Sequence, residues 1–312
     1  MVSVQRYDPA RQSVWDDFVA RGRSGTFLFL RGYMDYHADR FEDHSLFFLN
    51  GDTLVGLMPG NREGAAYVSH GGLTYGGIVS GPRMTASLMR ELFRALEAYL
   101  AAAGMRTLLY KAVPHLYRTA PSEEDLYALF LSGARLVKRE VSSAIYLPGA
   151  RIGGNRGRGA QKAEREGVVF RESDEVDVFL GMVDRRLQEK YGRHAVHSPE
   201  EMRLLMGRFP GRIRLFGAYL GDEMVAGAIV YQCSTTAHLQ YLSTTARGRE
   251  LRAADLIVAR LVTSVFRDMR WFDFGISTEQ GGRVLNESLI KQKEEFGASA
   301  VCYDTYELEP AA

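Results

Sequence analysis

The chain has 312 residues, with 39 Lys+Arg against 38 Asp+Glu, a formal net charge of +1, 46% hydrophobic and 25% charged residues. This is a globular composition with room for two domains. It excludes a globally basic nucleic-acid binder, though not a local basic patch. Two cysteines, Cys233 and Cys302, are too few for a disulfide scaffold or a zinc site. Both sit in apolar strand patterns, so buried thiols are expected. The N-terminus has no apolar signal core and no run of about 18 apolar residues follows, so a cytoplasmic chain without a membrane span is expected.

In chain order, residues 14–20 read as a helix with Trp15, Phe18 and Val19 inward. Residues 45–49 and 53–58 read as strands around an Asn50-Gly51-Asp52 turn. Tyr67 and Val68 begin a third, before the glycine-rich segment 69–77. An amphipathic helix is predicted over 84–103, with Leu88, Leu92, Leu96, Tyr99 and Leu100 on one face and Gly104 as its stop. A strand follows at 108–110. Ser122 should cap a helix that turns Leu126, Leu129 and Phe130 inward, and 141–147 reads as a strand. The basic, glycine-rich segment 148–167 then interrupts the pattern, placing the domains at 1–147 and 148–312.

Beyond it, 168–170 is a predicted strand and 176–191 a helix with Phe179, Leu180, Val183 and Leu187 on one face. Ser198, Pro199 and Glu201 form the start of another helix, with a capping box. Strands are expected at 213–220, 224–233 and 238–243, and a helix at 252–269. The last stretch alternates Phe272 and Phe274 around Asp273 and runs through a polar turn, 277–282. It continues as a helix over 284–296, ends at Gly297, and closes as a strand through Val301, Tyr303, Thr305 and Leu308.

The halves echo each other. The Gly51-Asp52 turn recurs as Gly221-Asp222, an offset of 170, and the helix-ending Gly133 recurs as Gly297, an offset of 164. A repeat of this length means duplicated domains rather than a solenoid. Each is predicted to be α+β, a mixed, mainly antiparallel sheet flanked by helices.

This element order resembles the GNAT acyltransferase fold. Two in tandem resemble the Fem family of aminoacyl-tRNA-dependent transferases. Three segments carry the likeness. Gln161 to Val168 (QKAEREGV) resembles the family's basic K-A-x-x-x-G-[VI] segment, Gly221 to Gly227 its G-D, A-G hairpin, and Lys293 to Gly297 (KEEFG) its closing K-x-x-F-G. Nothing here is long enough for the helical-hairpin arm of some members.

The resemblance implies that Lys293 stands beside the reacting carbonyl, where a cation stabilises the oxyanion. Subtracting 164 gives Leu129, so the first half has an apolar residue where the second has an amine. The plain alternative is a lysine that snorkels to solvent at a helix end. Ordinary GNAT enzymes hold the coenzyme A pyrophosphate on backbone N–H groups of a glycine-rich turn. Here that place, 244–254, has one glycine and Arg247, Arg249 and Arg252. It favours a donor other than acyl-CoA, with the arginines either gripping a phosphate or standing in solvent.

Arg156, Arg158, Lys162 and Arg165 fit an RNA backbone or a solvated helix face. His70 and Tyr75 in the glycine-rich segment, Arg193 at a helix end, Tyr241 in a strand, and Glu279 and Asn286 around the polar turn complete the candidate substrate-binding set. Lys190 and Arg193 fit either a phosphate or carboxylate or the C-terminus of their helix. His70 fits a hydrogen-bonded structural role as well, and the glycines fit a tight crossing in the sheet. His194 and His197 lack a third ligand, so no metal is expected, and no resident cofactor either. The expected activity transfers an aminoacyl group from aminoacyl-tRNA to an amine of a cell-wall precursor or peptide-like metabolite. Acyl-CoA-dependent N-acylation is the alternative, and a non-catalytic binding protein of the same fold a third.

Overall fold

The computed structural model describes residues 1–310, which form two compact units. The first comprises Met1–Glu140, Gln280–Arg283 and the chain from Cys302 onward. Its elements are β1 (Val2–Arg6), α1 (Gln12–Arg21), α2 (Arg31–Met34), β2 (Glu42–Asp43), β3 (Leu46–Asn50), β4 (Thr53–Met58) and β5 (Asn61–Glu63). There follow β6 (Ala66–Val68), β7 (Val79–Ser80), α3 (Ala86–Ala102), β8 (Thr107–Lys111), α4 (Glu124–Leu131) and the first half of β9 (Arg135–Tyr146). Strands β1, β3, β4 and β7 form an antiparallel sheet, and β6 lies parallel to β8. Helix α3 starts at Thr85, whose hydroxyl accepts from Leu88 N at 3.2 Å. It buries Met89, Leu92, Phe93, Leu96 and Leu100 against Leu46, Phe48 and Met58.

The second unit comprises Val141–Glu279 and Val284–Val301. It contains α5 (Gly154–Arg165), β10 (Val168–Ser173), α6 (Val176–Tyr191), α7 (Pro199–Arg208), β11 (Ile213–Leu220), β12 (Glu223–Gln232) and β13 (Thr236–Thr244). Next come α8 (Ala246–Leu251), α9 (Ala253–Arg260) with a π-helical turn after it, β14 (Trp271–Ile276), a ribbon of β15 (Thr278–Glu279) and β16 (Val284–Leu285), and α10 (Glu287–Glu294). Strands β10 to β13 form an antiparallel meander, and β14 joins β13 in parallel. The final strand β17 (Ser299–Leu308) pairs with β8 of the first unit, whereas the second half of β9 pairs with β14 of the second. Each half of the chain thus supplies the closing strand of the other half's unit.

Several elements differ from expectation for local reasons. The helix expected over 284–296 begins at Glu287, because Val284 and Leu285 pair with Thr278 and Glu279 and Asn286 Oδ1 caps Leu289 N at 3.1 Å. The helix expected over 252–269 is preceded by α8, so the supposed turn at 246–251 is helical. The two helices are separated by Arg252 in the left-handed region, φ 63. Ser122 does not cap α4, whose N-cap position is Glu123, and Phe130 points outward, 76% exposed. Cys233 is buried as expected, but Cys302 is exposed: on β17 it alternates with the inward Val301 and Tyr303.

Candidate active site

Strands β13 and β14 are paired over three rungs only: Thr236 with Trp271, Ala237 with Phe272, and His238 with Asp273. Past that rung β13 carries a bulge opposite Ile229/Val230, and β14 turns at Gly275, φ 76. The strands part, and a cavity of about 450 Å³ lies beyond. It is lined by Leu239–Thr244 of β13, Phe274 and Ile276 of β14, Lys293 and Phe296 at the end of the α10 segment, and one face of α6.

Lys293 is 7% exposed and its Nζ donates to Gly275 O at 2.7 Å and Ile276 O at 2.8 Å. It does not snorkel. Burial lowers its pKa from the usual 10.5 to about 8, against the opposing pull of the Asp273 charge. It is therefore mostly protonated at neutral pH, and an ammonium with two bonded hydrogens has a third to offer.

Asp273, fully buried, accepts from Ser142 Oγ at 2.5 Å, His238 Nδ1 at 2.6 Å and Gly275 N at 3.2 Å. With Nδ1–H directed at the carboxylate, Nε2 becomes the basic nitrogen of the ring. The ring's Cε1 edge lies beside Gly275, where an added Cβ would stand 3.4 Å away. The imidazole and the Lys293 amine therefore flank the same residue of β14.

The first unit has apolar residues at the corresponding positions. Its corresponding parallel pair joins Ala66 to Thr107, Tyr67 to Leu108 and Val68 to Leu109. The offsets are again 170 and 164, so Val68 and Leu109 stand where the second unit has His238 and Asp273. Leu129, fully buried, stands where it has Lys293. There the chain itself fills the gap. Ser69 N donates to Leu109 O at 2.9 Å, Gly76 N to Lys111 O at 2.9 Å, and Lys111 N to Ser69 Oγ at 2.7 Å. A Cβ on Gly76 would stand 2.0 Å from Ser69 O, so this crossing requires glycine.

The sequence-predicted residues distribute as follows. Tyr241 lines the cavity together with Lys293, and its hydroxyl bonds His197 Nδ1 at 2.7 Å. Glu279 and Asn286 bond each other at 3.0 Å on the ribbon leading into α10 and do not line the cavity. Arg193 is exposed, beyond the left-handed cap Gly192 of α6. His70 and Tyr75 belong to the first unit. His70 is buried against His37, ring centroids 5.3 Å apart, and burial drives its pKa down to about 3; Tyr75 is 2% exposed, its hydroxyl 3.4 Å from Thr26 Oγ1.

Arg156 is bound up in the fold, pairing with Asp255 and Glu295 at 2.9 Å each. Lys162 Nζ donates to Glu250 O at 2.9 Å, and Arg158 and Arg165 are exposed on the same stripe of α5. Arg247 pairs with Glu250 at 3.0 Å, Arg249 reaches Thr244 O at 3.4 Å, and Arg252 pairs with Asp255 at 2.5 Å. Two N–H groups in the first turn of α8 are taken by Thr245: Gly248 N donates to Thr245 Oγ1 at 3.0 Å and Arg249 N to Thr245 O at 3.0 Å. A Cβ on Gly248 would stand 2.1 Å from Val225 O, so this glycine serves packing. Among the described residues no group of three or more His, Cys, Asp or Glu is placed to hold a metal, and no helix is long and apolar enough to cross a membrane.

His238, Asp273 and Arg186 were not singled out from sequence. The available signals were a histidine among the apolar residues of β13, an acid between two buried phenylalanines, and an arginine within the inward stripe of α6.

The family model of an acetyltransferase (GNAT) domain matches residues 154–280. No curated protein matches the sequence. Among solved structures the chain is similar to FemX, with TM-score 0.67 and 9% identity over 97% of this chain and 96% of that one. It is similar to L-PGS from Bacillus licheniformis, with TM-score 0.60 and 13% identity over 99% and 94%. It is also similar to a tandem GNAT protein from the clavulanic acid biosynthesis pathway, with TM-score 0.55 and 12% identity over 100% and 99%. At these identities the fold is what is shared. The chain has a tandem GNAT fold of α+β architecture, similar in fold to FemX, and residues 154–280 of its second half match an acetyltransferase (GNAT) domain.

Proposed function

We propose that this protein is a cytoplasmic aminoacyltransferase that moves an aminoacyl group from a charged tRNA to the amine of a cell-wall precursor or peptide-like metabolite, forming an amide. The observation that carries this reading is Lys293, a buried ammonium on two backbone carbonyls at the wall of a cavity between parting strands. The acceptor amine attacks the ester carbonyl, and the third Nζ hydrogen of Lys293 meets the oxyanion that forms. His238, held by Asp273, accepts the proton the amine loses. That proton leaves on the ribose oxygen as the ester bond breaks. No covalent enzyme intermediate is needed; positioning and charge stabilisation suffice.

The α8 corner supports a tRNA donor over acyl-CoA. Its Gly248 and Arg249 N–H groups are taken by Thr245, its single glycine packs against Val225 O, and its arginines are paired with Glu250 and Asp255 or directed at Thr244 O. It is not the glycine-rich turn that brings a pyrophosphate close to backbone N–H groups.

The test is incubation with a panel of charged tRNAs and of acyl-CoAs in the presence of peptide-like amines. Acceptor-dependent deacylation of tRNA, without thiol release, is expected. Thiol release from an acyl-CoA, with a micromolar dissociation constant for acetyl-CoA by calorimetry, would reassign the donor.

A further inference from the structure

Helix α6 presents Val183, Arg186, Leu187 and Lys190 to the cavity, one stripe at i, i+3, i+4 and i+7. With Lys293 this brings three cations to the lining, and among the described residues no Asp or Glu lines it. The nearby acids are engaged elsewhere: Asp184 bonds His194 at 3.0 Å, and Asp273 is held by Ser142, Gly275 and His238.

Helix α1 of the first unit supplies an internal control. At an offset of 169 the same stripe reads Val14, Asp17, Phe18 and Arg21, and lines that unit's own cavity of about 590 Å³. The two apolar positions are kept and the acid is replaced by Arg186. The stripe's charge thus changes from balanced to doubly positive in the unit that holds the Lys293 cavity.

Packing alone does not account for Arg186. It is half-buried and makes no hydrogen bond or ion pair with a described residue. Its half-buried counterparts in the same unit are matched, Arg214 to Glu172 at 2.7 Å and Arg156 to Asp255 at 2.9 Å. With no acceptor among the described residues, the guanidinium on the cavity wall keeps its hydrogen-bonding fork for an anion that enters.

We infer that the α6 wall is an anion subsite: Arg186 and Lys190 hold a carboxylate or phosphate carried by the acceptor, whose amine then points toward Lys293. This rests on the aminoacyl-transfer reading. A guanidinium fork takes a carboxylate or phosphate through two parallel bonds and fixes its orientation. The surrounding positive charge also lowers the pKa of the acceptor amine, favouring the neutral form that attacks. Amines without an anionic group are left with the repulsion alone.

Binding tests the subsite without requiring turnover. Alanylalanine, its carboxamide and phosphoethanolamine are titrated calorimetrically into the wild-type protein and into Arg186→Gln. Wild type should bind alanylalanine or phosphoethanolamine about tenfold or more tighter than the carboxamide, and which of the two is preferred identifies the anion. Arg186→Gln should abolish the preference while its melting temperature stays unchanged. Equal affinities in wild type, no measurable binding of any probe, or a preference that survives in Arg186→Gln overturns the subsite. Turnover separates this from the parent reading. Where a charged tRNA serves as donor, Arg186→Gln should raise KM for the anionic acceptor and leave donor KM unchanged; a change in donor KM instead overturns assignment to the acceptor. If no charged tRNA is consumed with any acceptor, the transfer reading fails, and the subsite stands or falls on the calorimetry.

Discussion

His238 and Asp273 form the last rung of the parallel pair β13–β14, and their side chains are joined by a 2.6 Å hydrogen bond. The cavity of the second unit begins where this strand pairing ends. The first unit continues its sheet with the apolar pair Val68 and Leu109 at the same rung.

His238→Asn keeps a side-chain N–H for Asp273 and removes the ring nitrogen that takes a proton. Turnover is expected to fall by about 10²–10⁴ with the fold intact. The check is kcat at saturating donor and acceptor, alongside a melting curve; unchanged kcat would mean the imidazole only fills the rung.

Lys293 links stability to pH. Its pKa is lowered from 10.5 to about 8 by burial, so the unfolded chain binds the proton more tightly than the native one. The cost of burying the charge is fully present below pH 8 and is relieved as pH rises from about 8 toward 10.5. Wild type should therefore gain stability relative to Lys293→Met across that window, by at most about 1.4 kcal/mol per pH unit. Urea denaturation of both proteins at pH 7, 9 and 10 checks this; parallel curves would mean that the amine is not desolvated. In catalysis the sign is reversed, since the oxyanion needs the charged form. Activity should decline as pH rises through about 8.

The basic stripe of α5 separates into two roles. Arg158, Lys162 and Arg165 share its outer face, and replacing all three with alanine should flatten the salt dependence of tRNA binding by roughly 2–3 units of slope. Arg156→Ala should leave that slope alone and destabilise the second unit by on the order of 2 kcal/mol, because Asp255 and Glu295 lose a partner. Filter binding over a salt series, with melting curves, distinguishes the two; an unchanged slope in the triple variant would make the stripe a solvated face.

Sequence pattern revealed those parts of the fold that are determined locally. Helix α6 has the expected bounds because its apolar period ends at Gly192, which adopts the left-handed conformation, φ 62. The Ser198–Glu201 capping box forms as read. The duplication was legible from Gly51 and Gly221, which turn equivalent hairpins at φ 58 and 59. Hidden from the sequence were relations between distant strands. The closing strands β9 and β17 pair outside their own halves, which no local signal encodes. The parting of β13 from β14 depends on a bulge and on Gly275. Lys293 was conspicuous against Leu129, yet burial and snorkelling were equally compatible with its place near a helix end. The carbonyls of Gly275 and Ile276 decide between them, and they are oriented by the turn in β14.

The central claim is that the Lys293 ammonium stabilises the oxyanion of acyl transfer. It is tested most directly by kcat of Lys293→Met at saturating aminoacyl-tRNA and acceptor, measured beside acceptor affinity. The variant should fold, bind its acceptor with unchanged affinity, and lose at least about tenfold in kcat, up to the 10²–10³ typical of a lost oxyanion donor. Full turnover in Lys293→Met would contradict the account and remove Lys293 from the mechanism.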